Sequence, residues 1–112
     1  MLHNLPFLEK NRKTFEYIGD GKKKIETRAG SQQYFAIKAG DAIEFSCGNE
    51  MIIKKVKKVL RYKTLDEMFK IYKPQEINPE VSSYEELKKR YDSFPGYQDR
   101  LNQYGILVFE LE

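Results

Sequence analysis

The sequence predicts an α+β fold: a small β-barrel with helices packed around it. Three observations carry this. Residues 42–47, AIEFSC, alternate apolar and polar side chains at the period of a half-buried strand, and Gly48-Asn49 behind them suits a two-residue hairpin turn. Two capping boxes, Thr64-x-x-Glu67 and Ser83-x-x-Glu86, each precede apolar residues at helical spacing. The tail, residues 104–111, is apolar and rich in β-formers, as a closing strand would be. The order helix, strands, helices, strand is that of an α+β domain.

Taken in order, residues 4–18 are expected to form a helix, with Asn4 as cap and Pro6 in the first turn. Leu8, Phe15 and Ile18 fall near one face, and Gly19 ends the helix. Asp20-Gly21 is a turn, and residues 24–28 make a short strand. Residues 29–36 hold a turn or helical piece with Tyr34 and Phe35 facing inward, and Ala39-Gly40-Asp41 turns into the AIEFSC strand. The run 51–62 fits two patterns. Ile52, Ile53, Val56, Val59 and Leu60 suit a helical stripe, but the hairpin turn and the β-branched content favour a long strand with a bulge. Leu65, Met68, Phe69 and Tyr72 follow the first capping box as a helix, and residues 73–79, with two prolines, read as a loop. Tyr84, Leu87 and Tyr91 share one side of the next helix; Pro95-Gly96 breaks the chain, and a short helix covers residues 97–103.

The length of 112 residues suits a single domain spanning 1–112, which buries about 60–70% of its unfolded surface and needs no staples. A net charge of +3 is mildly basic, which permits nucleic-acid binding without demanding it. Cys47 is the one cysteine and His3 the one histidine, so neither an internal disulfide nor a Cys/His metal cluster is expected. Cys47 alternates with Phe45 and Ile43 and reads as a buried apolar residue. A reduced, cytoplasmic setting is the simplest reading, and no stretch approaches the ~20 apolar residues of a membrane span.

The chemistry concentrates in GKKKIETR, residues 21–28, where Gly21, Lys23, Glu26 and Arg28 stand as G-x-K-x-x-E-x-R. Lys24, Glu26 and Arg28 share parity on a strand, and alternating charges on one face are commonly just a solvated surface. A binding role has its own physical case. Gly21 lets the backbone turn tightly. Lys23 offers a cation whose pKa falls if it is desolvated, and Arg28 a planar fork suited to phosphate or a base edge. Glu26 can orient either cation or accept from an exocyclic amine. Strand geometry puts Lys23 opposite Glu26 and Arg28, so the three converge only if Lys23 lies in the turn or at a bulge. The lysine runs at 22–24, 54–58 and 88–90 read as solvated faces, or as a phosphate-tracking stripe if the fold joins two of them. Tyr34, Tyr72 and Tyr97 are candidates for stacking on a base.

The octapeptide, the IKAGDAIEF after it, and YEELKKRYDSFPGY leading into YGILVFELE together resemble the ASCH domain family over about residues 3–112. The resemblance implies a PUA-like β-barrel, an association with RNA, and a cleft lined by Gly21, Lys23, Glu26 and Arg28. It implies an RNA- or nucleotide-binding module with no metal or organic cofactor. A bacterial branch of the family removes the acetyl group from acetylcytidine with a lysine, a threonine and a glutamate. The lysine position matches Lys23, and alignment through the ELKK run puts the glutamate on Glu80. The threonine position holds Glu26, which cannot replace a hydroxyl, and Thr27 beside it points the other way on a strand. An amidohydrolase built on Lys23, Glu26 and Glu80 is therefore the rival expectation. Ribonuclease action is a third, and with one histidine it cannot use a two-histidine mechanism.

Overall fold

One long, bulged strand organises the fold. In the computed structural model, which describes residues 1–112, β4 (Glu50–Tyr62) lies antiparallel to β3 (Ala42–Cys47) through residues 50–55 and to β5 (Ile106–Leu111) through residues 56–62. Lys57 is the extra residue between Val56 and Lys58, where the register shifts. Parity changes there. Ile52, Val56 and Val59 pack in one core, whereas Leu60 and Tyr62 pack in another. This change of face is why the run mimics a helical stripe in the sequence.

β2 (Ile25–Ala29) pairs antiparallel with β5, and β1 (Leu2–Phe7) pairs parallel with β3, giving the order β1-β3-β4-β5-β2. β1 and β2 are the two edges of this half-barrel. They approach each other: the Arg28 guanidinium of β2 sits 5.1 Å from the centre of the Phe7 ring of β1.

The N-terminal segment departs from the expected helix over 4–18. Residues 2–7 are strand, a 3-10 turn covers Glu9–Asn11, and the helix α1 spans only Arg12–Gly19. Leu5 is buried, His3 and Phe7 are half-buried on the same side, and Pro6 is tolerated because the strand is an edge. The partner of this strand lies 40 positions away, Leu2 facing Ala42, so no local pattern reveals it. α2 (Gln32–Phe35) is the expected helical piece, capped by Ser31.

After β4 come α3 (Leu65–Phe69), α4 (Pro74–Ile77), α5 (Tyr84–Asp92) and α6 (Tyr97–Tyr104). α4 lies within the stretch expected to be loop; Pro74 opens it at the position where a helix tolerates proline. Both capping boxes form, with a shift. Thr64 and Ser83 accept from the amides of Glu67 and Glu86 at 3.2 Å. The two carboxylates return one residue further back, to the amides of Lys63 at 3.1 Å and Ser82 at 2.7 Å.

Two cores result. Leu5, Phe15, Ile18, Phe45 and Phe109 pack inside the curled sheet, under α1. Met68, Leu87, Tyr91, Leu101 and Val108 pack between the other face and the helices. β5 feeds both: Ile106 and Val108 face the helices, Leu107 and Phe109 the interior. A strand covered on both sides reads as a continuous apolar run, which is what the tail shows. Truncating Phe45 or Phe109, both 0% exposed, to alanine would cost about 3–5 kcal/mol. No helix is long and apolar enough to cross a membrane.

Candidate functional site

The seam between β1 and β2 opens into a cavity of about 490 Å³, within the size range of small-ligand sites. Pro6 and Phe7 line it from β1, residues 26–29 from β2, and Ile77 and Asn78 from the end of α4. α5, α6 and the loop between them close the far side through Tyr91, Phe94 and Tyr97.

The turn after α1 delivers Lys23 to this cleft. Gly21 has φ +84, open to glycine, and the Lys23 amide bonds back to Tyr17 O at 2.9 Å. Lys23 thus precedes β2 instead of belonging to it, the condition for meeting Glu26 and Arg28. Its Nζ donates to Ile25 O at 2.6 Å and to Ile77 O, and lies 3.5 Å from Glu26 Oε1. Three acceptors meet the three protons of an ammonium. Lys23 is 3% exposed. Burial pulls its pKa below the usual lysine value, and Glu26 opposes that shift.

Glu26 is also buried and is saturated by its neighbours. Oε1 accepts from the Thr27 amide at 3.0 Å, and Oε2 accepts from Arg28 Nε at 3.3 Å and Nη2 at 3.2 Å. It therefore fixes both cations and has little capacity left for a base amine. Arg28 also meets two rings, with its Cζ 5.1 Å from the Phe7 ring centre and 5.8 Å from that of Tyr34. Its Nη1 lies 3.5 Å from the Tyr34 hydroxyl. Desolvation works against the Arg28 charge, but Glu26 and Tyr34 outweigh it and raise its pKa.

The free edge of β2 also faces the cleft. Leu111 N bonds Lys24 O and Gly30 N bonds Gly105 O, so the ladder to β5 uses even-numbered residues. The peptide groups of Ile25, Thr27 and Ala29 point the other way. Lys23 takes Ile25 O and Glu26 takes Thr27 N, and Thr27 C=O and Ala29 N–H are among the groups left unpaired on this edge.

Charge on the wall is lopsided. Lys10, Lys23, Arg28, Arg90 and Arg100 face one carboxylate, Glu26. An anionic ligand suits such a wall. Deeper in, Thr27 Oγ1 and Tyr91 Oη are 2.5 Å apart, and the Tyr91 and Tyr97 rings stack at 5.1 Å with 9° between planes. Burial raises the pKa of both phenols, so both stay neutral.

Of the residues singled out in the sequence, Lys23, Glu26, Arg28, Tyr34 and Tyr97 line this one cleft. Gly21 shapes the turn and is not on the wall, and Glu80 is held outside it by Arg90 at 3.6 Å. Tyr72 is occupied elsewhere, donating to Glu110 at 2.7 Å. Thr27 does reach the wall, because both faces of β2 are covered. Phe7, Asn78 and Arg100 had no signal in the sequence; tertiary contacts alone bring them here. No group of three or more His, Cys, Asp and Glu side chains is placed to hold a metal ion.

A model of the ASCH domain family matches residues 9–112. The crystal structure of a hypothetical protein, PH0355, is similar along the whole length: 31% identity, 100% of this chain and 98% of that one covered, TM-score 0.81. The solution NMR structure of PF0455 from Pyrococcus furiosus is similar at 29% identity, covering 100% of this chain and 96% of the other, with TM-score 0.77. A search of curated proteins gives no match. With the sequence motifs, the half-barrel and the family match in agreement, the chain belongs to the ASCH domain family.

Proposed function

We propose that this chain is a binding module that holds RNA or a nucleotide in the cleft between β1 and β2. The observation that carries the reading is the state of Arg28. Its guanidinium lies 5.1 and 5.8 Å from the Phe7 and Tyr34 ring centres, gives Nε and Nη2 to Glu26 and Nη1 to the Tyr34 hydroxyl, and keeps a spare N–H on each of Nη1 and Nη2. A fork fixed in this way suits a phosphate or the acceptor edge of a base. The cationic wall and the association of the family with RNA support the same reading.

The test is titration of short single-stranded RNAs and mononucleotides at low salt. Binding is expected, weakening as salt rises. Absence of binding, or binding that survives both Glu26→Ala and Arg28→Ala unchanged, would overturn it.

A second reading, an amidohydrolase acting on acetylated cytidine, draws support from the desolvated Lys23 and from the Thr27 hydroxyl on the same wall. To act as a base, Lys23 has to leave the carbonyls of Ile25 and Ile77 and shed a proton. Glu80 has to leave Arg90. Incubation with acetylcytidine followed by chromatography tests this: turnover abolished by Lys23→Ala supports hydrolysis, and no product beside an active control enzyme removes it.

A further inference from the structure

Polar side chains on the cleft wall have hydrogen-bonding capacity that the protein leaves unused, and one of them, the Tyr97 hydroxyl, is a fully buried atom. Tyr97 is 4% exposed, and its hydroxyl has no partner. Asn78 is 8% exposed; its Oδ1 accepts from the Glu80 amide at 2.9 Å, and its Nδ2 donates to no protein group. Thr27 and Tyr91 share one hydrogen bond between two hydroxyls, which uses one hydrogen and leaves the other. All of these residues line the cleft.

A buried hydroxyl without a partner is destabilising, and native proteins keep few of them. Packing does not account for this one. Tyr97 stacks on Tyr91 through its ring, and a phenylalanine would stack as well. A group entering the cleft would supply the missing partner.

The recess is rich in donors. It offers the Tyr97 O–H, the Asn78 N–H and the spare hydroxyl hydrogen of the Thr27–Tyr91 pair. The one carboxylate on the wall, Glu26, is already engaged by Thr27, Lys23 and Arg28. A carbonyl oxygen, with two lone pairs, takes two such donors at once. The free Thr27 C=O on the β2 edge suits the N–H that flanks the carbonyl in uracil and guanine. Adenine has no carbonyl; each of its ring nitrogens carries one lone pair and takes one donor where a carbonyl oxygen takes two.

We propose that this recess reads a nucleobase carbonyl, so that the cleft prefers uracil, guanine or cytosine to adenine. The inference rests on the nucleotide reading above and adds which bases are taken. The test is calorimetric titration of UMP, GMP, CMP and AMP into the wild-type protein and Tyr97→Phe, with melting curves of both proteins free of ligand.

In the wild type the carbonyl-bearing nucleotides are expected to bind about tenfold or more tighter than AMP, because a site built for hydrogen bonds rejects a ligand that leaves them unmade. Tyr97→Phe should weaken UMP and GMP by about three- to tenfold, the worth of one hydrogen bond, and weaken AMP less. Free of ligand, the variant should melt a few degrees higher, since it loses an unsatisfied group. AMP binding as tightly as UMP, unchanged UMP affinity in Tyr97→Phe, or a lower melting point for that variant would each overturn the inference and leave nucleotide binding standing. If neither mononucleotides nor RNA bind, the nucleotide reading falls and takes this one with it.

Discussion

Arg28 meets Glu26 through both Nε and Nη2, at 3.3 and 3.2 Å from the same carboxylate oxygen. The other oxygen of Glu26 is held by the Thr27 amide and by Lys23. A chain of contacts thus runs from the carbonyl of Ile77, through Lys23 and Glu26, to the guanidinium at the mouth of the cleft. Arg28 is pre-organised, so little side-chain freedom is lost when a ligand arrives.

Glu26→Gln should therefore lower stability as well as binding. It keeps the shape but removes the carboxylate from between two cations, and breaking a buried pair from one side costs about 3–5 kcal/mol. Denaturant unfolding followed by circular dichroism measures this. An unchanged midpoint would show that Lys23 and Arg28 need no counter-charge.

Arg28→Lys should separate charge from geometry. The charge stays, but the planar fork and its contacts with the Phe7 and Tyr34 rings are lost. Mononucleotide affinity is expected to fall about tenfold, while the salt dependence of RNA binding keeps its slope. Arg28→Ala should lower affinity and also reduce that slope by about one. Titrations at three or more salt concentrations distinguish the two.

Asp41 gives the protein an acid-sensitive contact far from the cleft. A hydrogen bond from His3 at 2.8 Å, together with one from the Lys38 amide at 3.0 Å, holds its carboxyl pKa down at about 2, below the ordinary 3.8. The folded state therefore releases this proton more readily than the unfolded chain. The stabilisation is fully present above about pH 4 and is lost as pH falls towards 2. Asp41→Asn should melt below the wild type at pH 7, and the gap should close between pH 4 and pH 2. A gap of constant size in melting curves across that range would contradict the assignment.

Gly105→Ala should destabilise the junction of α6 and β5. Gly105 has φ +78, and a Cβ there would run into the carbonyl oxygen of Tyr62. A positive φ and a backbone clash act together, so a loss of roughly 1–3 kcal/mol is expected. Thermal unfolding checks it, and a variant as stable as the wild type would mean the junction relaxes freely.

Local signals made much of this fold legible. The AIEFSC alternation, the Gly48-Asn49 turn, Thr64 and Ser83 as caps and the apolar tail each act over a few residues, and each produced its element. β1 was hidden because its strand character comes from β3, far along the chain. Within the site, the spacing of Lys23, Glu26 and Arg28 was readable because one turn and one strand carry all three. Their division of labour was not. That Glu26 is consumed in holding Arg28 depends on burial, and burial depends on α4 and α5 closing over β2. Asn78 and the Thr27–Tyr91 pair are invisible in sequence for the same reason.

Lys57 touches no part of the cleft wall, yet it governs the aperture. β4 is the central strand, opposite the seam, and the inserted residue keeps Val59 in the same core as Ile52 and Val56 while the sheet bends. Deleting Lys57 would leave Val59 opposite Phe109 and facing the same core, but would remove the bulge and the bend it makes. The flanks carrying Phe7 and Arg28 would swing with it. A change of length at this one position would thus retune ligand access without altering any side chain that a ligand meets.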